Sequence, residues 1–313
     1  MNEYRIPPSD RGALGGDRRG TLRLEGPPGL PPRPPERLAP TCALIEELLE
    51  RGEVEVAEIS EGGAVPTIKV LNRSGLDALI LDGTELRGAK QNRMVNLTIV
   101  AGGGMETVVP VSCVERGRWA YRSHRFTSSK RTVASRLRNL KAHRVAENLA
   151  RSGVAEADQG EVWKEVNAYL AKGHASSATQ ALDDVFTPHD DALESVVSRL
   201  GDLDAHGAMV ALQGEIVALD LFDHGETFRK AWPSLLRGYA IDAILEERPH
   251  WEPLTRFAAS TRLHDFAAQA VVARQEVPGV GEYYTVRGPG VVGGIARHRG
   301  RVVHAALFPS ARP

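Results

Sequence analysis

Cysteine, net charge and long apolar runs are all scarce in this 313-residue chain, and each scarcity closes a class of function. Its 2 cysteines, Cys42 and Cys113, form no C-x-x-C pair and no zinc spacing, which argues against a disulfide framework or a structural zinc site. The 39 basic residues balance 40 acidic ones, so no global field calls for a nucleic acid or a membrane surface. Nowhere does an apolar run reach the roughly 18 residues of a membrane-spanning helix. The N-terminus carries no apolar core and cleavage motif of a signal peptide. The expectation is a soluble, cytoplasmic protein with no membrane partner.

Residues 1–37 are rich in Gly, Pro and Arg and include Pro27-Pro-Gly-Leu-Pro-Pro-Arg-Pro-Pro35. Such a segment buries too little apolar surface to offset its ordering entropy. It reads as a flexible tail with polyproline character, or as a Pro-rich docking peptide. Residues 38–313 read as a single α+β domain: a mainly antiparallel sheet, a helical middle segment and returning C-terminal strands. A short helix over Cys42–Arg51 is capped by Thr41. Strands open at Val54, Val65, Ala78, Val95 and Thr107. Helices follow from Ser128 or Ser129 to Arg151, over Gln159–Lys172, and over Ala178–Leu200 with a break at Pro188. Ala208–Leu212 and Glu215–Leu219 return to strand around Gly214. Phe228, Trp232, Leu235, Leu236, Tyr239 and Ala243 mark a helical stripe that contains Pro233. Glu282–Phe308 is strand again, with a hairpin turn at Gly300.

The chemistry concentrates in Leu81-Asp-Gly-Thr-Glu-Leu-Arg-Gly-Ala-Lys-Gln-Asn-Arg-Met-Val-Asn96, a polar cluster between two apolar strands. Buried polar groups are costly unless satisfied, so this is either an internal hydrogen-bond network or a site. As a site, Asn92 and Asn96 offer carboxamides on one strand face. Lys90 and Arg93 offer charge-assisted donors, with Gln91 beside them. Glu85 is a general-base candidate. As a network, Glu85, Lys90, Gln91 and Asn92 knit a turn.

Downstream, Glu115, Arg118 and Trp119 supply a carboxylate, a phosphate-binding fork and a stacking ring; the alternative is an Arg–Glu pair beside a half-buried Trp. Cys113 lies in an apolar strand without a nucleophile's signature. Residues 116–151 carry eleven Arg and Lys against one acid, Glu147, with Trp119, Tyr121 and Phe126 interleaved. That run can bind nucleic-acid phosphates and bases, or pair internally with acidic segments such as Asp183–Glu194. Asp220, Asp223 and His224 can hold a divalent metal, or Asp223 can cap a helix. The glycines of Gly281–Gly294 match no phosphate-loop motif closely. His298 and His304 read as core or surface residues.

The run Leu81–Arg93 with Asn96, followed by Val109-Pro-Val-Ser-Cys-Val-Glu-Arg-Gly-Arg-Trp119, resembles a bacterial family, the ADP-ribosylglycohydrolase- and rhodanese-phosphatase-associated protein domain. Gln213-Gly214, Asp220-Leu-Phe222, Phe228 and Trp232 fit it too, so the resemblance spans about residues 38–309. It implies company with enzymes of ADP-ribose metabolism and carries over no catalytic residue and no cofactor. Together with the local grouping of charges, it leads to the expectation of a domain that binds or processes a phosphorylated nucleotide, such as ADP-ribose or an NAD-derived compound. In that reading Lys90, Arg93 and Arg118 hold phosphate, and Gln91, Asn92 and Asn96 read ribose or base. Trp119 stacks, and Glu85 and Glu115 are the acid/base candidates. The alternatives are a non-enzymatic nucleic-acid binder using residues 116–151, or a scaffold. Glu85, Asn92, Asn96, Glu115 and Arg118 are expected to converge on one concave pocket with Trp119 at its rim.

Overall fold

Alternating apolar and polar residues build the first strands, and their burial alternates in step: Val54, Val56, Ile68 and Val70 point into the core. The computed structural model describes residues 2–5, 21–25, 39–246, 252 and 254–310. In chain order the elements begin β1 (Asn2–Arg5), β2 (Thr21–Glu25), β3 (Ala43–Leu44), α1 (Ile45–Glu50), β4 (Val54–Glu58), β5 (Thr67–Asn72), β6 (Ala78–Ile80) and β7 (Thr84–Gly88). Then come β8 (Arg93–Val95), β9 (Ile99–Ala101), β10 (Glu106–Cys113) and β11 (Phe126–Thr132). The helical middle is α2 (Ser135–Ser152), α3 (Gln159–Lys172), α4 (Asp183–Phe186) and α5 (Asp190–Leu200). Last are β12 (Gly207–Leu212), β13 (Glu215–Leu221), α6 (Gly225–Leu245), α7 (Arg256–Gln269), β14 (Val271–Gln275), β15 (Glu282–Gly288), β16 (Val291–His298) and β17 (Arg301–Pro309).

The strands form an eight-stranded sheet ordered β1-β2-β12-β13-β17-β16-β15-β14, a six-stranded sheet ordered β11-β7-β8-β10-β5-β4, and the small sheet β3-β6-β9. Among the described residues, pairing is antiparallel except between β3 and β6. This is the α+β architecture expected, with helices between two groups of strands. Helix α2 packs on β13, β15, β16 and β17, while α6 touches β11 of one large sheet and β12 of the other. One continuous apolar cluster runs through both.

Several elements differ from expectation for local reasons. Ser128 and Ser129 cap no helix: they lie in β11, where Ser129 Oγ donates to the Glu85 carbonyl and Arg131 turns inward to the Glu85 carboxylate. Helix α1 starts at Ile45 rather than Cys42, because the Glu47 carboxylate accepts the Leu44 N–H and closes the first turn there. The Pro188 break is real, a single 3-10 turn over Thr187–His189. Gly293 and Gly294 are not a phosphate loop but part of β16, where Gly294 makes room for the Tyr283 ring. Most of the Pro-rich segment lies outside the described residues; within them, Thr21–Glu25 pairs with β12 and Asn2–Arg5 with β2.

Two packing devices fix the helices. Gly238 of α6 presses on the end of β11, where a Cβ would meet Thr132 Oγ1 at 2.5 Å and the Val133 carbonyl at 2.7 Å. The first turn of α2 has no side-chain cap of its own. Asp242, from α6, supplies one, accepting the Ser135 N–H at 2.8 Å together with the Ser135 and Tyr169 hydroxyls.

Burial pushes the Asp242 carboxyl up from 3.8 to about 6, against the pull of those hydrogen bonds. Between about pH 4 and 6 the unfolded chain has released this proton while the folded chain still holds it, so the Asp242 contribution to stability falls as pH rises through that window. Urea-unfolding midpoints against pH should show this fall in the native chain, about 3 kcal/mol at most, and lack it in Asp242→Asn.

Candidate functional site

The polar signature is built around a hairpin. Strands β7 and β8 pair through Glu85 with Met94 and Leu86 with Arg93, and residues 89–92 turn between them. Gly88 and Ala89 both have positive φ, 118° and 41°. At Gly88 a side chain would strike Ser123 Oγ and the Arg125 carbonyl. Ala89 is not glycine, so its left-handed backbone is strained and must be held from outside.

Arg118 does the holding. Its Nη1 donates to the Ala89 carbonyl at 2.6 Å and to the Ala120 carbonyl, and its Nη2 donates to the Gly88 carbonyl and Asn92 Oδ1. Glu115 in turn binds Arg118 through both oxygens, at 2.9 Å and 2.6 Å, and accepts the Asn92 N–H and the Thr179 hydroxyl. Burial raises the Glu115 carboxyl, but the hydrogen bonds from Arg118, Asn92 and Thr179 outweigh it and hold it below the usual range. With each oxygen accepting two hydrogen bonds, Glu115 stays ionised as a clasp.

The remaining expected site residues fall into three other places. Glu85 is fully buried and pairs with Arg131, which also meets Asp183. Asn96 is buried between the Ser112 hydroxyl and the Ala155 carbonyl. Glu85, Asn92, Asn96, Glu115 and Arg118 therefore share no single cavity. Lys90 and Trp119, however, do come together at the surface, with Arg93 and Gln91 buried beneath them. Trp119 and Tyr121 are 47% and 43% exposed, and Lys90 Nζ lies 5.3 Å and 5.0 Å from their ring centres. Beneath them, the buried Arg93 guanidinium sits 5.6 Å from the Trp119 ring and donates to Gln91 Oε1. Tyr121 was visible in the sequence as an interleaved aromatic but carried no assigned role.

The basic run from 116 to 151 is largely paired with acids: Arg125 with Glu55, Lys130 with Glu50, Arg131 with Glu85 and Asp183, Arg136 with Glu165, and Arg144 with Glu147 and Glu161. Arg116 stacks on Trp163. Cys113 is buried, and burial raises its thiol, which suits a core residue.

The densest charge lies deeper. Arg138 and Lys141 of α2 meet Asp82, before β7, and Asp220 of β13. Arg138 Nη2 donates to Asp82 at 2.8 Å and to Asp220 at 2.9 Å, and its Nη1 to Asp220 and the Tyr239 hydroxyl. Lys141 Nζ reaches Asp82 Oδ2 at 2.6 Å. His304 bridges Asp220 and the Thr98 hydroxyl. Burial raises both carboxyls, but the Arg138 charge prevails and holds them well below the usual range; burial lowers the Lys141 ammonium despite Asp82. Gly83 packs against this guanidinium, its absent Cβ position 2.8 Å from Arg138 Cγ.

Asp82, Asp220 and His304 could each offer one ligand atom within 4.8 Å of the others. The Arg138 guanidinium already bridges both carboxylates, and Lys141 adds a second cation, so a metal does not fit. The expected trio is likewise split: Asp223 pairs with Arg301, and His224 Nδ1 caps α6. A cavity of about 10 Å³ beside Asp82, Lys141, Asn96 and Thr98 has room for about one water. Sequence reasoning missed this centre because its members lie far apart in the chain and each looks ordinary alone.

An α+β domain with a clasped polar hairpin, an exposed aromatic–lysine patch and a buried ion network is thus defined. The chain belongs to the ARG and Rhodanese-Phosphatase-superfamily-associated Protein domain family, whose model matches residues 33–308. No curated protein and no solved structure is a match. No helix among the described residues is long and apolar enough to cross a membrane.

Replacing Arg138 with Met should remove the counter-charge that two buried carboxylates share and cost about 3–5 kcal/mol in urea unfolding. Asn92→Ala, removing an acceptor from the Gly88 N–H and Arg118, should cost about 1–3 kcal/mol. A loss below about 0.5 kcal/mol in either variant would show that the corresponding network holds nothing together.

Proposed function

We propose that the chain binds a phosphorylated nucleotide, such as ADP-ribose or an NAD-derived compound, on the patch formed by Lys90, Trp119 and Tyr121. The observation that carries the reading is the pair of exposed rings sharing one lysine ammonium. Exposed rings offer a base a stacking platform, and an ammonium between them offers its phosphate a charge-assisted donor. Reading the ARG of the family description as ADP-ribosylglycohydrolase makes ADP-ribose the first ligand to try.

In this reading Glu85 and Glu115 are not acid/base groups, since ion pairs engage both. Arg118 and Asn92 set the hairpin, and Asn96 lies apart from the ligand. Binding, rather than processing, is what the patch supports. One observation favours the scaffold reading instead: several polar side chains of the signature are spent on internal pairing, Asp82 with Arg138, Glu85 with Arg131, Asn92 with Arg118 and Asn96 with Ser112.

Titration calorimetry with ADP-ribose, NAD and ADP separates the two. The nucleotide reading expects saturable binding that weakens about tenfold or more in Trp119→Ala, in line with the ~1–3 kcal/mol of a base–aromatic stack. Absence of heat at millimolar concentrations of all three ligands would leave the scaffold reading.

A further inference from the structure

The connection between β4 and β5, Ile59–Pro66, lies over the patch. The Gly62 carbonyl accepts from Lys90 Nζ at 2.8 Å, and the Glu61 carbonyl accepts from the Tyr121 hydroxyl at 3.2 Å. Gly63, with φ of 72°, sits so close that a Cβ would lie 3.2 Å from Lys90 Cδ, 3.3 Å from Trp119 Cζ2 and 3.5 Å from Glu58 Oε2. The connection therefore touches the ammonium, both rings and the carboxylate beneath. Its tip residues Glu61 and Gly62 are exposed.

Under it, Glu58 and Arg93 are buried and incompletely satisfied. Glu58 Oε1 accepts the Lys90 N–H at 3.3 Å and stands 3.7 Å from Arg93 Nη2. Glu58 Oε2, Arg93 Nε and Arg93 Nη2 have no hydrogen-bond partner. Buried polar atoms rarely stay in that condition. The Glu58 carboxylate and the Arg93 guanidinium, 3.7 Å apart and each with unpartnered atoms, are together complementary to a group that both donates and accepts, which describes a hydroxyl. A vicinal pair of hydroxyls suits it best, because one can donate to Glu58 Oε2 while the two together accept from Arg93 Nε and Nη2.

We propose that Glu58, backed by Arg93, reads the ribose hydroxyls of the nucleotide, and that Ile59–Pro66 is a strap that withdraws to admit the sugar. This rests on the nucleotide reading given above and adds the sugar to it. The Gly62 carbonyl then holds the place of a phosphate oxygen on Lys90 when no ligand is bound. Entry exchanges one acceptor for a charged one and gives the unpaired atoms of Glu58 and Arg93 their partners.

Titration calorimetry of the full chain with ADP and with 2′-deoxy-ADP tests it. The native chain should bind ADP about tenfold or more tightly than the deoxy form, because the missing hydroxyl leaves buried groups unpaired. In Glu58→Ala the ratio of the two affinities should fall to about one. Equal affinities in the native chain overturn the proposal while leaving the nucleotide reading in place, and so does a Glu58→Ala protein that keeps the tenfold preference. If neither nucleotide binds at millimolar concentration, the sugar assignment fails, and the nucleotide reading fails with it when ADP-ribose and NAD also give no heat. The native-chain comparison decides even if the variant does not fold.

Discussion

The fold turns on one buried cation. The Arg138 guanidinium joins α2 to Asp82, which enters the six-stranded sheet, and to Asp220 in the eight-stranded one. Tyr239 adds α6, and His304 with Thr98 adds β17 and the approach to β9. Apolar packing can bring two sheets and two helices together in many relative placements. A buried guanidinium that must satisfy two carboxylates and a phenol accepts far fewer. Such networks are weak evidence for raw stability, because desolvation opposes the Coulomb gain. Here the network's contribution is to position: Asp82 is fixed one residue before the Gly83 turn, so the start of β7, and with it the signature hairpin, is set from the centre of the molecule.

Outward from that point the signature divides its labour. Asp82 belongs to the centre and Glu85 to the Arg131–Asp183 cluster. Asn92, with Glu115 and Arg118, clasps the hairpin. Only Lys90, Gln91 and Arg93 are turned toward the patch. The strained Ala89 backbone is the pivot, since the carbonyls on either side of the bend are pinned by Arg118. The rings of Trp119 and Tyr121 then flank a lysine whose backbone is held on one side by Arg118 and on the other by Glu58. Most of the polar residues in the motif therefore serve geometry, and a minority face solvent.

The α+β class, the helix over Gln159–Lys172 and the turns at Gly214 and Gly300 were legible in the sequence, because each rests on local periodicity or turn chemistry. Phe126–Thr132 was not. Serines before an apolar period read as a helix cap, and only the distant Glu85 explains why the chain stays extended there. The signature was visible as a cluster of polar residues, and the network reading describes Asp82, Glu85, Asn92 and Asn96, which pair internally. Lys90 and Trp119 read as separate ligand contacts, and nothing in the sequence set the ammonium against the ring. The buried centre was equally hidden, since nothing local distinguishes Arg138 from the other arginines of α2, or Asp220 from Asp223. Their roles follow from which carboxylates end up opposite which helix turn, and that is tertiary information.

The separation of these partners along the chain bears on how the protein reaches its native state. Asp82 and Arg138 are 56 residues apart, Arg138 and Asp220 82, and Thr98 and His304 206. Closing contacts of that span costs chain entropy before any pairing rewards it, so such topologies form slowly. During synthesis the first half of the chain must wait with Asp82, Arg138 and Lys141 together but without Asp220 and His304. Once β13 emerges with Asp220, it still lacks its neighbour β17 and presents an unpaired edge until the C-terminal strands follow. The interval before His304 arrives is thus the period of greatest exposure to misassociation, and it is built into the order of the strands.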